Sequence, residues 1–116
     1  MKIQNYSFGS IQIDGKTYWG DVVIERGVVR KRDRSPSRKY RDRYGHTPLS
    51  LDEEIPWDCK HLVIGTGKMG DMPVMEEVIQ EAQRRGIRLT VAPTEAAIQL
   101  LNREPNETNA ILHLTC

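Results

Sequence analysis

Cysteine is scarce in this chain. Cys59 and Cys116 are the two present, too few for the disulfide framework of a small secreted domain or for a four-cysteine zinc site. The three histidines, His46, His61 and His113, stand at no spacing that completes a zinc set with them, so no metal is expected. No apolar run approaches the roughly 20 residues that a membrane-crossing helix needs. The opening segment, MKIQNYSFGS, lacks the apolar core of a signal peptide. No Gly-x-Ser-x-Gly nucleophile elbow is present. Aromatic residues make up 6% of the chain, and Trp19 and Trp57 read as packing residues. These absences point to a soluble cytoplasmic protein with no cofactor, no membrane partner and no residue set that fixes a reaction.

What is present is enough for one core. The 116 residues are 38% hydrophobic and 28% charged, and a chain of this size buries roughly two thirds of its unfolded surface without staples. We therefore read residues 1–116 as a single domain. Net charge is +1, yet residues 30–43, RKRDRSPSRKYRDR, hold eight Lys/Arg against Asp33 and Asp42. That segment carries +6 and the remainder −5, a dipole able to steer acidic groups. With Ser35-Pro36-Ser37 and almost no apolar side chains, the stretch of about 30–45 reads as a mobile, solvated loop turning at Pro36. Arg38, Lys39, Arg41, Arg43 and the following His46 are its candidate partner-binding residues. Tyr40 and Tyr44 lie among the arginines as single-strand binders place aromatics, but the chain as a whole is not basic, so nucleic acid is the lesser expectation.

The first third reads as an antiparallel β meander of about three or four strands. Asp14-Gly15 and Arg26-Gly27 interrupt alternating runs where a two-residue hairpin turn needs positive φ. Ser50 to Glu53 has capping-box spacing, and Pro56 ends any helix there. The second half changes character. His61-Leu62-Val63-Ile64 is a short apolar strand. Pro73 to Arg85 has helical periodicity, with Val74, Val78 and Ala82 on one stripe, and Gly86 follows it as a stop. Ile87 to Val91 is a strand, Thr94 caps a helix running through Leu101, Asn106 to Asn109 is a polar loop, and Ala110 to Thr115 is the last strand. The expected class is α/β: a three-layer single domain with an N-terminal antiparallel β meander followed by β-α-β-α-β.

Gly65-Thr66-Gly67-Lys68-Met69-Gly70 spells G-x-G-x-x-G between a strand and a helix, the context in which glycines and free amides cradle a phosphate. Gly65, Thr66, Gly67, Lys68 and Gly70 are therefore the candidate ligand-binding residues. Against a dinucleotide, Val91-Ala92-Pro93 stands where an acidic ribose partner belongs, and Asp71 places a negative charge beside the loop. A tight structural turn is the favoured reading and a small anion the alternative. His113 and Cys116 are three apart, an offset that faces opposite ways in a strand, so no catalytic thiol–imidazole pair is expected.

The second half, with GTGKMG, then Met72-Pro73-Val74, Arg85-Gly86-Ile87, Thr94-Glu95-Ala96-Ala97-Ile98 with Leu101-Asn102, and Leu112-His113-Leu114-Thr115-Cys116, resembles an uncharacterised small α/β domain family. Its members include the adipogenesis-associated Mth-type domain protein and mitochondrial complex I assembly factor 3. The resemblance implies a mixed central sheet whose final strand runs antiparallel to the others, a cytoplasmic location in a prokaryote, and a homodimer. It carries over no catalytic or binding residues. The expected function is a non-catalytic protein-interaction or assembly-factor-like domain with an unidentified protein partner. The alternatives are an anionic or phosphate-bearing ligand, with or without enzymatic work, at Gly65–Gly70, and nucleic acid on the basic stretch.

Overall fold

The computed structural model describes residues 1–103 and 106–116. Among these, strands β1 (Ile3–Ser7), β2 (Ser10–Ile13) and β3 (Lys16–Trp19) form one antiparallel sheet. Strands β4 (Val22–Glu25), β5 (Val28–Lys31), β6 (His61–Thr66), β7 (Arg88–Ala92) and β8 (Thr108–His113) form a second in the order β5-β4-β8-β6-β7. Both expected hairpins are present. Asp14 and Gly15 have φ of 49° and 83°, and Arg26 and Gly27 have 51° and 78°. Two consecutive left-handed residues give the turn whose twist matches the flanking strands.

The β meander is nevertheless divided between the two sheets. β2 alternates, burying Ile11 and Ile13 on one face, as a strand covered on one side does. In β4, Val22, Val23 and Ile24 are all buried, so this strand needs cover on both faces and joins the central sheet with β5. Strand direction also differs from the expectation. β8 runs parallel to β6, and the reversed strand is β4, antiparallel to both β5 and β8. β6 and β8 are buried at every position, which fits their place at the centre.

Helix α2 (Glu76–Arg84) and helix α3 (Thr94–Arg103) cover opposite faces. Ala97, Ile98 and Leu101 of α3 pack with Ile3, Ile11 and Ile13 of the small sheet against Val63, Ala110 and Leu112. Val78 of α2 packs with Leu49, Ile55 and Met72 against Leu62, Ile64 and Ile111. Opposite faces follow from crossover handedness. The chain moves from β6 outward to β7 and then back past β6 to β8, and right-handed connections in opposite directions put their helices on opposite sides. The result is the expected three-layer α/β domain.

Four local expectations are corrected. α2 begins at Glu76, three residues after Pro73, because Leu49 donates its amide to the Pro73 carbonyl at 2.8 Å and accepts from Met75 at 3.0 Å. That bridge holds residues 73–75 extended. The basic stretch is not an open loop: after β5 it forms a 3-10 turn (Ser35–Tyr40) and a one-turn helix α1 (Arg41–Tyr44). Ser50 makes no capping box, since the Glu53 carboxylate is bound to Arg32. Trp19 does not pack and is 79% exposed, whereas Trp57 is half-buried against the core with the Arg85 guanidinium 5.1 Å over its ring. No helix among the described residues is long and apolar enough to cross a membrane.

Candidate functional site

The carboxyl ends of β6 and β8 lie side by side, with Thr66 opposite His113. In open α/β sheets this is where ligands bind, because connections that depart in opposite directions leave a crevice. Here the chain occupies its own crevice. Lys68 donates its amide to the Thr115 carbonyl at 2.7 Å, and Asp71 donates to the Cys116 carbonyl at 2.9 Å. Gly67 donates to the Thr94 hydroxyl at 2.8 Å, Gly70 to Gly67 at 3.2 Å and Met72 to Thr66 at 3.0 Å. Gly67 has a φ of 106°, and a β-carbon there would lie 2.4 Å from the Cys116 backbone.

The Lys68 ammonium sits 5.5 Å over the Tyr6 ring, and the Thr66 hydroxyl donates to the Ala92 carbonyl at 3.1 Å. Thr94 does not spend its hydroxyl on capping α3, for it bridges the Gly67 amide and the His113 carbonyl. The Lys68 and Asp71 amides thus hold residues 115–116, while Gly67 and Gly70 donate to Thr94 and to the loop's own backbone.

Beside this crevice lies a buried ionic cluster that sequence reading missed. Arg32 and Glu53 are almost fully buried. The Arg32 Nε and Nη2 donate to Glu53 Oε1 and Oε2 at 2.8 and 2.9 Å, and Nη1 donates to Asp21 Oδ2 at 2.9 Å. Met72 Sδ at 3.2 Å and the Pro48 carbonyl at 3.4 Å take the remaining directions, so all five guanidinium hydrogens have acceptors. Asp21 also accepts from the Leu114 amide at 2.9 Å and lies 2.8 Å from His113 Nδ1. Ser37 donates to Glu53 Oε2 at 2.5 Å and touches the Ser50 hydroxyl at 2.6 Å. The paired groups lie 11 to 93 residues apart in the chain, and Arg32 sits in a run of other cations, so no short-range signal marks the cluster.

Burial would raise the Asp21 carboxyl, but the His113 hydrogen bond and charge, the Leu114 amide and Arg32 prevail and hold it below its ordinary 3.8. A carboxylate depressed on folding contributes stability above its unfolded value, and that contribution is lost as pH falls through the folded value. The melting temperature should therefore fall steeply below about pH 4. Asp21→Asn, less stable at neutral pH, should show a flatter decline in that window when followed by circular dichroism. Parallel curves would remove Asp21 from the acid transition.

This cluster fixes the basic segment. Ser37 is its buried foot, and Asp33 accepts from the Ser35 amide and hydroxyl at 3.0 and 2.6 Å. Lys39 pairs with Asp52 at 3.1 Å, and Tyr40 donates to Asp52 at 2.7 Å. Tyr44 lies under the Arg43 guanidinium at 5.5 Å. Arg38, Arg41 and Arg43 are exposed. His46 is exposed beyond Gly45, with its Nδ1 4.0 Å from Cys116 Sγ, so the basic segment meets the glycine-loop region at residue 116. His113 turns to Asp21 and not to that thiol. Among the described residues, no three His, Cys, Asp or Glu side chains are grouped to hold a metal. A cavity of about 630 Å³ lies at the opposite pole between Met1, Ile24, Leu101 and Asn109. There Arg26 pairs with Asp58 at 3.1 Å, and Asn109 is held by the Pro56 carbonyl and Asp58.

Fold and site together define an α/β domain whose strand-end crevice holds its own residues 115–116 and whose neighbouring basic segment is exposed. The chain belongs to the protein family of unknown function DUF498/DUF598, whose model matches residues 3–113. It is similar along its whole length to the conserved hypothetical protein PH1505 from Pyrococcus horikoshii OT3, at 26% identity and a TM-score of 0.83, covering 100% of both chains. A structure titled MT938 matches at 24% identity and a TM-score of 0.73, covering 99% of this chain and 98% of that one. A Bordetella pertussis protein described as a Mth938-like domain shares the fold at 13% identity and a TM-score of 0.57, over 97% and 85% of the two chains. No curated protein matches.

Proposed function

We propose that this domain is a non-catalytic, cytoplasmic protein-interaction module, assembly-factor-like in character, that recognises an acidic partner with its basic segment. The observation that carries this reading is the anchoring of Arg38, Arg41 and Arg43 on a folded turn whose foot, Ser37, is bonded to a buried carboxylate. Cations on a rigid support lose less side-chain and backbone freedom on binding than cations on an open loop. An acidic partner would be drawn in by long-range attraction that salt screens.

Replacing Arg38, Lys39, Arg41 and Arg43 together by Gln should slow partner association roughly tenfold or more at low salt. The melting temperature should stay within about 3 °C, because these side chains are on the surface. The measurement is capture from a lysate of the source cells by immobilised wild-type and variant protein, with mass-spectrometric identification and a salt titration. Capture of the same protein by both at low salt would overturn the reading.

A further inference from the structure

A second feature of this pole is not explained by an acidic protein alone. Trp19, at the end of β3, is the most exposed large apolar side chain among the described residues at 79%. It stands at the rim of a cleft of about 390 Å³ whose other walls include Lys31, Arg34, Arg38 and Thr115. An indole left in water forgoes one of the largest burial gains any side chain offers, and nothing in the core takes it. Lys31 ends β5, Arg34 immediately precedes the 3-10 turn and Arg38 lies within it, and among the described residues no ion pair is formed by any of the three. The carboxylates in the same wall are engaged elsewhere: Asp21 with Arg32, His113 and the Leu114 amide, and Asp33 with Ser35. Arg32, at the floor, is saturated. The cleft therefore combines an excess of positive charge, Lys31, Arg32, Arg34 and Arg38 against Asp21 and Asp33, with one unpartnered aromatic face.

The geometry points to a ligand of the mononucleotide class, a phosphate group joined to a flat ring system. Its phosphate would lie among Lys31, Arg34 and Arg38, and its base would stack on Trp19. Base stacking on an aromatic side chain and charge-assisted contacts to phosphate are each worth about a tenfold factor or more. The volume lies in the lower part of the range of small-molecule sites, roughly 300–1,000 Å³, which suits one nucleotide better than two. The glycine loop takes no part, since its Gly67, Lys68 and Gly70 amides already donate to Thr94, Thr115 and Gly67. This inference shares Arg38 with the partner reading but does not rest on it, because it turns on Trp19, Lys31 and Arg34, which that reading does not use.

The test is calorimetric and tryptophan-fluorescence titration of the full chain with AMP, ribose 5-phosphate and adenosine at low and at 0.5 M salt (about the upper end of useful screening). AMP should bind saturably, at least roughly tenfold tighter than either fragment, and should quench Trp19 emission. Trp19→Ala and Arg38→Gln should each weaken AMP about tenfold with the melting temperature unchanged. Three results would overturn the proposal: no saturation at millimolar AMP, ribose 5-phosphate binding as well as AMP, or unaltered AMP affinity in Trp19→Ala. A Trp19→Ala protein that loses AMP but still captures its protein partner separates this site from the partner surface.

Discussion

Arg32→Met should lower the unfolding free energy by about 3–5 kcal/mol, close to half the stability of a domain this size. The guanidinium joins Glu53 to Asp21 inside the wall formed by β4, β5 and the 48–53 segment. Burial by itself would make Arg32 easier to deprotonate, but the Glu53 hydrogen bonds and charge, with those of Asp21, push it the other way. Without the cation, Glu53 is a buried carboxylate left with the Ser37 hydroxyl as its side-chain partner among the described residues, and it must either ionise at high cost or take up a proton. Urea unfolding should show the drop as a lower midpoint with an unchanged slope. Adding Glu53→Leu to Arg32→Met should recover part of the loss, because removing both charges removes the uncompensated one. In that double variant hydrogen exchange should quicken across residues 35–44, since Ser37 loses its carboxylate anchor. A single variant within 1 kcal/mol of wild type would mean that water already shares the cluster.

Gly67→Ala should cost about 3–5 kcal/mol. A φ of 106° is a strained value for any L-residue, and the new methyl would collide with the Cys116 backbone at 2.4 Å, adding an overpacking cost. The neighbour here is main chain held by two amide bonds, so it has no rotamer by which to yield. Gly15→Ala supplies the comparison. It too has a positive φ, of 83°, but nothing lies within 4 Å of its added carbon, and a loss of about 1–2 kcal/mol is expected there. Equal losses at the two glycines, measured by denaturant unfolding, would show that residues 115–116 move aside freely and that the crevice is not truly filled.

Much of this architecture was legible because the signals were local. The Asp14-Gly15 and Arg26-Gly27 turns declare themselves by the backbone angles they require. The apolar stripe of Val78 and Ala82, and that of Ala97, Ile98 and Leu101, declare helices by period. The G-x-G-x-x-G run was legible as a pattern but not as a device, since its spacing is the same whether the amides face a phosphate or the carbonyls of Thr115 and Cys116. The basic stretch misled in the opposite way. Its composition predicts solvation, and for Arg38, Arg41 and Arg43 that holds. Arg32 and Ser37 carry the same local signature and are buried, because their partners Asp21 and Glu53 arrive from other parts of the chain.

Residue order was sufficient for the alternation of strands and helices, for the hairpin turns and for the asymmetry of charge, because each depends on neighbours within one or two turns of backbone. It did not settle which sheet β4 enters, which strand is reversed, or what the glycine loop holds. Those outcomes depend on which apolar faces find cover and which buried polar groups find partners. Both are three-dimensional conditions met by segments as far apart as Asp21 and His113, and they carry no trace in any short stretch of the chain.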